Sequence, residues 1–449
     1  MPEAEAAQAR RVEGGVQRRL SRIPDLLALH AAEPERYFCL MRSGAYAPRT
    51  GRYDILFVEG QCIGACDARQ APAEALLTAL DVPRAAAPES DALPFIGGYV
   101  FHLGYEAVGQ FEPRLVLPPR PEGLPDIVVW KVDQAIIIDH ERDEAWCVAP
   151  DEATARALAR AAEQPQPLVE PMECMIRHRE EEAAERYLHN VRAVLDYLHG
   201  GDCFQVNLSR GWAIELDKAV PPPMLHEAMH RRNPAPFSAL LKHGDEHLVS
   251  ASPERLLRVR NGRVDTRPIA GTRRRGRDVG EDAALRAELD SSLKERAEHV
   301  MLIDLERNDL GRICVPGTVQ VEEMLTQEQY ASVHHLVSNI AGDLDDRHSY
   351  SDVLRAGFPG GTITGCPKFR VMEIIAELEG EGRGSYTGSL GYVSRNGRMD
   401  SNILIRTLRV RDREIRFRAG AGIVADSDPE AELAETRAKA QGLLRALGA

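Results

Sequence analysis

The order of patterned segments is what most restricts the fold of this chain. Strand-like and helix-like runs are mixed without the regular alternation of a βαβ chain. A doubly wound parallel sheet needs that alternation, so the pattern predicts an α+β fold. In the second part of the chain, a helix is predicted from about Glu180 to Leu198. Its apolar positions Ala184, Tyr187, Leu188, Val191, Leu195 and Leu198 follow the 3.6-residue period, and Gly200-Gly201 ends it. Strands are predicted over Phe204 to Leu216 and Ala239 to Pro253, and helices over Asp282 to Asp304 and Asp428 to Leu447.

Upstream, residues 1 to about 20 are rich in Ala, Glu and Arg, and are predicted to be frayed or helical. Strand alternation runs from Tyr37 to Phe57, with a turn near Ala47 to Gly51. A helix pattern fills Ala71 to Leu80, where Pro72 sits in the first turn and its missing N–H costs nothing. Paired Gly97 and Gly98 in the strand Phe95 to Phe101 predict close backbone approach. Strands over Ile127 to Trp130 and Gln134 to Asp139 precede a helix over Glu152 to Ala162. Three prolines within Glu163 to Pro171 mark a linker or exposed crossover. The expected division is therefore an N-terminal region 1–162, a linker 163–172 and a second region 173–449.

Several function classes are disfavoured. No run approaches the ~18 apolar residues of a membrane span, and the N-terminus lacks the apolar region of a secretory signal. A net charge of −13 argues against a nucleic-acid-binding surface. The eight cysteines are scattered, and Cys62 and Cys66 have no second pair with which to hold zinc. A cytoplasmic protein with reduced thiols is the expectation.

Chemistry-bearing residues concentrate late in the chain. From Phe358 to Arg406, Gly360, Gly361 and Gly365 precede Cys366-Pro367-Lys368 and a helix-patterned run from Phe369 to Leu378. Such a turn can bring backbone N–H groups to an anion. A hairpin with its turn at Arg395-Asn396-Gly397 follows, and an alternating strand over Ile403, Ile405 and Thr407 would present Arg406 to a carboxylate. By pattern alone, a surface turn and a solvated arginine fit equally well. Two predicted helices each carry carboxylates three residues apart, Glu295 with Glu298 and Glu432 with Glu435, on one helix face. Four oxygen donors without thiolate suit Mg²⁺, and two acidic faces in water are the competing reading. Glu254 ends a strand beside Pro253, where an apolar pocket would keep its proton. Lys439 lies one turn after Glu435, placed for an ion pair or for a substrate carboxylate.

Together these fragments resemble the chorismate-utilising enzymes over nearly the whole chain. The matching pieces are FQVNLSR (Phe204 to Arg210), SPER (Ser252 to Arg255), PIAGTRRRG (Pro268 to Gly276), ERAEHVMLIDLERNDLGRI (Glu295 to Ile313), VHHLVS (Val333 to Ser338), FPGGTITGCPKFRVMEII (Phe358 to Ile375), IRTL (Ile405 to Leu408) and AGAGIVADSDPEAELAETRAKA (Ala419 to Ala440). The resemblance implies an α+β fold of two packed antiparallel sheets with outer helices, and Mg²⁺-dependent addition of a nucleophile to chorismate. It implies Glu298 and Glu435 as direct Mg²⁺ ligands, with Glu295 and Glu432 beside them. Arg406 and Tyr386 would hold the pyruvyl carboxylate, helped by the amides of Gly420, Ala421 and Gly422. Thr362 and Lys439 would line the pocket, Glu254 would protonate the departing C4 hydroxyl, and His335 would sit near the ring.

Members that add water have a lysine where this chain has Gln205, so the resemblance points to an amine-adding enzyme. Gln205 to Leu208, His334-His335, Gly360-Gly361, Gly388 to Tyr392 and Leu93 to Glu106 look more like the aminodeoxychorismate synthase branch than the anthranilate synthase branch. One position disagrees. In PIAGT, before Gly271 and Thr272, Ala270 stands where the aminodeoxychorismate branch carries a nucleophilic lysine. The Gly60 to Gly64 segment matches a minimal glutaminase elbow around Cys62, but no glutaminase domain surrounds it. Ammonia is therefore expected from a separate glutaminase subunit. The last family helix ends near Ala449, so no lyase is expected to be appended. The complete set of metal and carboxylate positions argues against a non-catalytic chorismate-binding protein.

Overall fold

The computed structural model describes residues 9–12, 14–44, 50–70, 72–83, 92–330 and 333–448. Among these, strands form two sheets of 13 and 10 members, and every pairing between them is antiparallel. The fold is α+β, as the mixed pattern predicts. Apolar residues on alternate strand positions separate two cores, because successive side chains point to opposite faces. In Tyr53–Val58 and Gln134–Asp139, Ile55, Phe57 and Ile137 face the second sheet, where they meet Val100, Val128, Trp130 and Leu390. Their neighbours Leu56, Ile136 and Ile138 face outward. They are covered there by the helices Leu26–Ala32, Glu152–Ala162, Pro222–Arg232 and Pro429–Ala446. The outer face of the second sheet packs Phe101, Leu103 and Val129 against Ala73–Thr78, Leu293–Gly311 and Tyr350–Gly357.

Strands from the first third of the chain form one end of each sheet and join strands from the rest along a single seam. Cys39–Arg42 pairs with Phe237–His243, and Gly98–Leu103 pairs with Ser389–Ser394. A Cβ built on Gly98 would lie 2.1 Å from the Val393 carbonyl oxygen, so the expected close approach is real.

Two crossings between the sheets organise the site. The chain leaves the first sheet at the end of Glu246–Ser252 and enters the second at Arg255–Arg260. It returns between Met399–Asn402 and Thr407–Arg411. The crossings run side by side. Ile403 N–H donates to the Glu254 carbonyl at 3.0 Å, and Ala251 N–H donates to the Arg406 carbonyl at 3.1 Å.

Several local expectations change. Residues 9–12 and 15–19 are strands, whereas a frayed or helical segment was expected there; residues 1–8, the turn residues 45–49 and Ala71 lie outside the described residues. Ala239 to Pro253 is a hairpin rather than one strand, because Gly244 adopts φ +60° and reverses the chain. Arg406 is not on an alternating strand. It sits in the crossing with φ +51°, since residues 403–406 must change sheets and pair in neither ladder. The helix predicted from Asp282 to Asp304 is two, Val279–Ser291 and Leu293–Gly311, with Ser292 capping the second through Glu295 N–H.

Candidate active site

Each crossing carries one charged group of the site. Glu254 is buried, and burial raises its carboxyl to about 7. Thr362, the Ile269 N–H, Arg406 and Lys439 pull the other way. Burial therefore wins, and the group keeps a proton near neutrality that an exposed glutamate would lose. On the second crossing, burial lowers the Arg406 guanidinium and Glu254 opposes it. Among the described residues that guanidinium has no hydrogen-bonded partner, so a half-buried arginine stands near a carboxyl that keeps its proton.

His335 lies on Val333–Asp343 and is buried. Burial, then Arg406, lower its imidazole to about 3, so it is neutral. Its Nδ1 is 2.9 Å from the Thr272 hydroxyl. Ile269–Arg274 pairs with this strand through a bulge at Gly271, which adopts φ +72°. A Cβ there would come within 3.0 Å of Glu295 Oε2 and 2.9 Å of Leu289. The Ala270 side chain is buried, and the Ala270 backbone holds His299, which also contacts Ser338 at 2.7 Å.

The opposite wall is the pair Gln205–Leu216 and Glu414–Ile423, with Asn207, Leu208 and Ser209 facing Gly422, Ala421 and Gly420. Past Arg416 the second strand keeps this partner alone, so every second peptide group of 419–423 is free of a ladder. Small residues are required here. A Cβ on Gly420 would touch the Tyr386 hydroxyl at 2.8 Å, and one on Gly422 would touch Gln205 Nε2 at 2.5 Å. Burial raises the Tyr386 phenol to about 12, so it stays a donor. Lys439 Nζ donates to the Gly420 carbonyl at 2.8 Å.

Gln205 Oε1, Asn207 Oδ1, Glu254 Oε1 and Thr362 Oγ1 are buried without a hydrogen-bond partner among the described residues. Leaving such an atom unpaired costs about 1–3 kcal/mol. Four of them between the crossings and the glycine-lined strand mark a place built for a polar ligand.

The four acidic positions are not gathered. Among the described residues no three His, Cys, Asp or Glu form a ready metal cage. Glu295 pairs with Arg273 at 3.0 Å, Glu298 accepts from Gln205 Nε2 at 3.2 Å, and Glu435 pairs with Lys439 at 2.8 Å. Glu432 is buried, and burial and then Glu432 lead the causes that raise the Tyr187 phenol. Both acidic helices nonetheless reach the same strand. Glu298 Oε1 lies 3.5 Å from a Cβ on Gly422, and Lys439 anchors the other helix at Gly420. A donor set of carboxylate oxygens fits Mg²⁺, once these partners release it.

The glycine-rich turn does hold a carboxyl group, but one of the chain's own. Gly361 N–H donates to Glu306 Oε1 at 3.2 Å. Sequence reading passed over Glu306, Asp309 and Asn207. A signal was present for Glu306: with Ile303 and Leu310 it shares the apolar stripe of its helix, where an acid is out of place.

The chain is similar to known proteins along most of its length. The chorismate binding enzyme family matches residues 45–445. Aminodeoxychorismate synthase component 1 of Salmonella typhimurium is 38% identical over 425 residues, covering 91% of this chain and 92% of the relative. Anthranilate synthase component 1 of Thermus thermophilus is 44% identical over 365 residues, covering 80% and 79%. The crystal structure of anthranilate synthase component I from Streptococcus pneumoniae superposes with a TM-score of 0.77 at 29% identity, over 89% of this chain and 93% of that one. A family match across most of the chain and a relative at this identity over nine-tenths of it leave one assignment: the chain belongs to the chorismate binding enzyme family.

Proposed function

We propose that this chain aminates chorismate at C4 to give 4-amino-4-deoxychorismate, using ammonia from a separate glutaminase subunit. The observation that carries the reading is Glu254, a buried carboxyl raised to about 7 beside an arginine whose guanidinium has no partner among the described residues. Arg406 and the Tyr386 hydroxyl would take the pyruvyl carboxylate, with free peptide N–H groups of Gly420 to Gly422 beside them. Thr362 and Lys439 would line this pocket. Glu254 would give its proton to the C4 hydroxyl as the C–O bond breaks and water leaves. The ammonia lone pair would form the new C–N bond, and Gln205, a neutral amide, would not deprotonate water as a lysine could. His335 would stay neutral near the ring. Glu295, Glu298, Glu432 and Glu435 would hold one Mg²⁺, which when bound supplies positive charge for the ring carboxylate.

The choice of C4 is supported by the Salmonella typhimurium relative, named aminodeoxychorismate synthase component 1, which aligns along 91% of this chain. Ala270 favours a second reading. It offers no nucleophile at ring C2 and leaves room there, and the Thermus thermophilus relative is named anthranilate synthase component 1. Ammonia added at C2, followed by pyruvate loss, would make the chain an anthranilate synthase. Product analysis from chorismate, Mg²⁺ and an ammonium salt decides. The expected product is 4-amino-4-deoxychorismate by mass spectrometry, needing a separate lyase before 4-aminobenzoate forms. Fluorescent anthranilate formed by the chain alone overturns the C4 reading.

The purified chain should use ammonium but not glutamine. Adding a glutaminase subunit should confer glutamine-dependent activity, through an interface on the order of 1,600 Å². Glutamine hydrolysis by this chain alone, lost in Cys62→Ala, would contradict the need for a partner.

A further inference from the structure

Glu306 is 5% exposed and Asp309 3% exposed on the inner face of Leu293–Gly311. Asp309 takes a close ion pair from Lys368, the first residue of Lys368–Glu379. These two line a surface groove of about 760 Å³, walled by Met301, Leu305 and Phe369. Glu306 lies one helical turn earlier, outside the lining of that groove, and Gly361 N–H donates to its Oε1 at 3.2 Å. Gly361 opens the turn Gly361–Ile363 and has no space for a side chain, since a Cβ would sit 2.5 Å from Leu305. The next residue, Thr362, has a buried hydroxyl that lies near the Glu254 carboxyl without a closed hydrogen bond to it, while its carbonyl accepts from Asn207 Nδ2 at 3.4 Å.

We propose that Glu306 is a positioning residue for the acid Glu254: by accepting the Gly361 N–H it sets the Gly361–Ile363 turn so that the Thr362 hydroxyl faces the Glu254 carboxyl. This rests on the reading of Glu254 as the acid and deepens it. Burial raises the Glu306 carboxyl to about 8; Asp309 and Glu254 add to this, while Lys368 and the Gly361 N–H oppose it. Glu306 is thus a neutral acceptor at neutral pH, and a glutamine should replace it. The charged and titratable groups facing Glu254 itself are Arg406, Lys439 and Glu306, with Thr362 as the hydroxyl.

The test is the pH profile of chorismate consumption in four variants of the full chain. Glu306→Ala should lower kcat by about 10–100-fold, the scale of a misplaced reacting group, with KM for chorismate little changed. Its alkaline limb should move to higher pH, because the Thr362 hydroxyl that favours ionised Glu254 is withdrawn. Thr362→Val should move the limb the same way, and Glu306→Gln should restore the wild-type kcat and limb. A Glu306→Ala profile like the wild type, or a Glu306→Gln variant as impaired as Glu306→Ala, overturns the proposal. Should Glu306→Ala fail to fold by circular dichroism, Thr362→Val and Glu306→Gln decide, and an unmoved limb in Thr362→Val overturns it. Glu254→Gln separates the two levels. If it turns over normally, the acid assignment falls and this proposal with it. If it is inactive while Glu306→Ala behaves as wild type, only this proposal falls.

Discussion

Glu254→Gln should lower turnover by about 10²–10⁴-fold with chorismate still bound. The amide keeps the size of the carboxyl and cannot donate its proton. In the wild type, burial holds the group at about 7, so the donating form dominates below neutrality and the rate should fall as pH rises through about 7. The residual rate of the variant should lack that limb. Stability gives an independent readout. The folded pKa lies above the unfolded value of about 4.3. The contribution of this carboxyl is therefore fully present below about pH 4 and is lost as pH rises toward 7 and beyond. Glutamine does not titrate, so thermal melts should show the variant gaining on the wild type between pH 4 and pH 8. Near-normal turnover in Glu254→Gln would assign the acid elsewhere.

The second large effect concerns the acidic helices. Glu298→Ala and Glu435→Ala should each reduce turnover to background while leaving the fold intact. Both residues are at helix positions whose present partners, Gln205 and Lys439, are side chains that can swing away. A bound Mg²⁺ would replace these contacts and draw the carboxylates toward one another. The wild type should then melt higher with Mg²⁺, by a margin equivalent to about 2.7 kcal/mol at a hundredfold excess over Kd. Either variant should lose most of that shift, a readout that needs no substrate. Full activity of either variant in chelator, or a melting temperature indifferent to Mg²⁺ in the wild type, would remove the metal from the proposal.

Local order was legible wherever one period dominated. Gln134–Asp139 and Glu152–Ala162 have the bounds their patterns indicate. The polar edge strand Ile176–Glu181 escaped notice because its side chains are mostly exposed, so no apolar alternation marks it. Arg406 was recognised as a site residue but placed on the wrong element. The run Ile403, Leu404, Ile405 is apolar because it passes between two cores, and a crossing and a buried strand share that composition. The pairing of distant parts was not readable at all. That Glu254 would lie against Arg406, 152 positions later in the numbering, depends on two crossings bonding to each other. The partners of Glu295 and Glu298 were equally invisible, since Arg273 and Gln205 lie 22 and 93 positions away, whereas the Glu435–Lys439 pair follows from their one-turn spacing.

Each sheet joins a block of early strands to late ones along one seam, and this has a consequence for how the molecule is made. Cys39–Arg42 finds its neighbour Phe237–His243 only about 200 residues later, and Gly98–Leu103 waits about 290 residues for Ser389–Ser394. At about 5–20 residues per second, a ribosome takes about 10–40 s to supply the first partner and longer for the second. Throughout that interval the nascent chain carries unpaired apolar edges, so yield in a cell should depend on translation speed and chaperone supply more than on the stability of the finished protein.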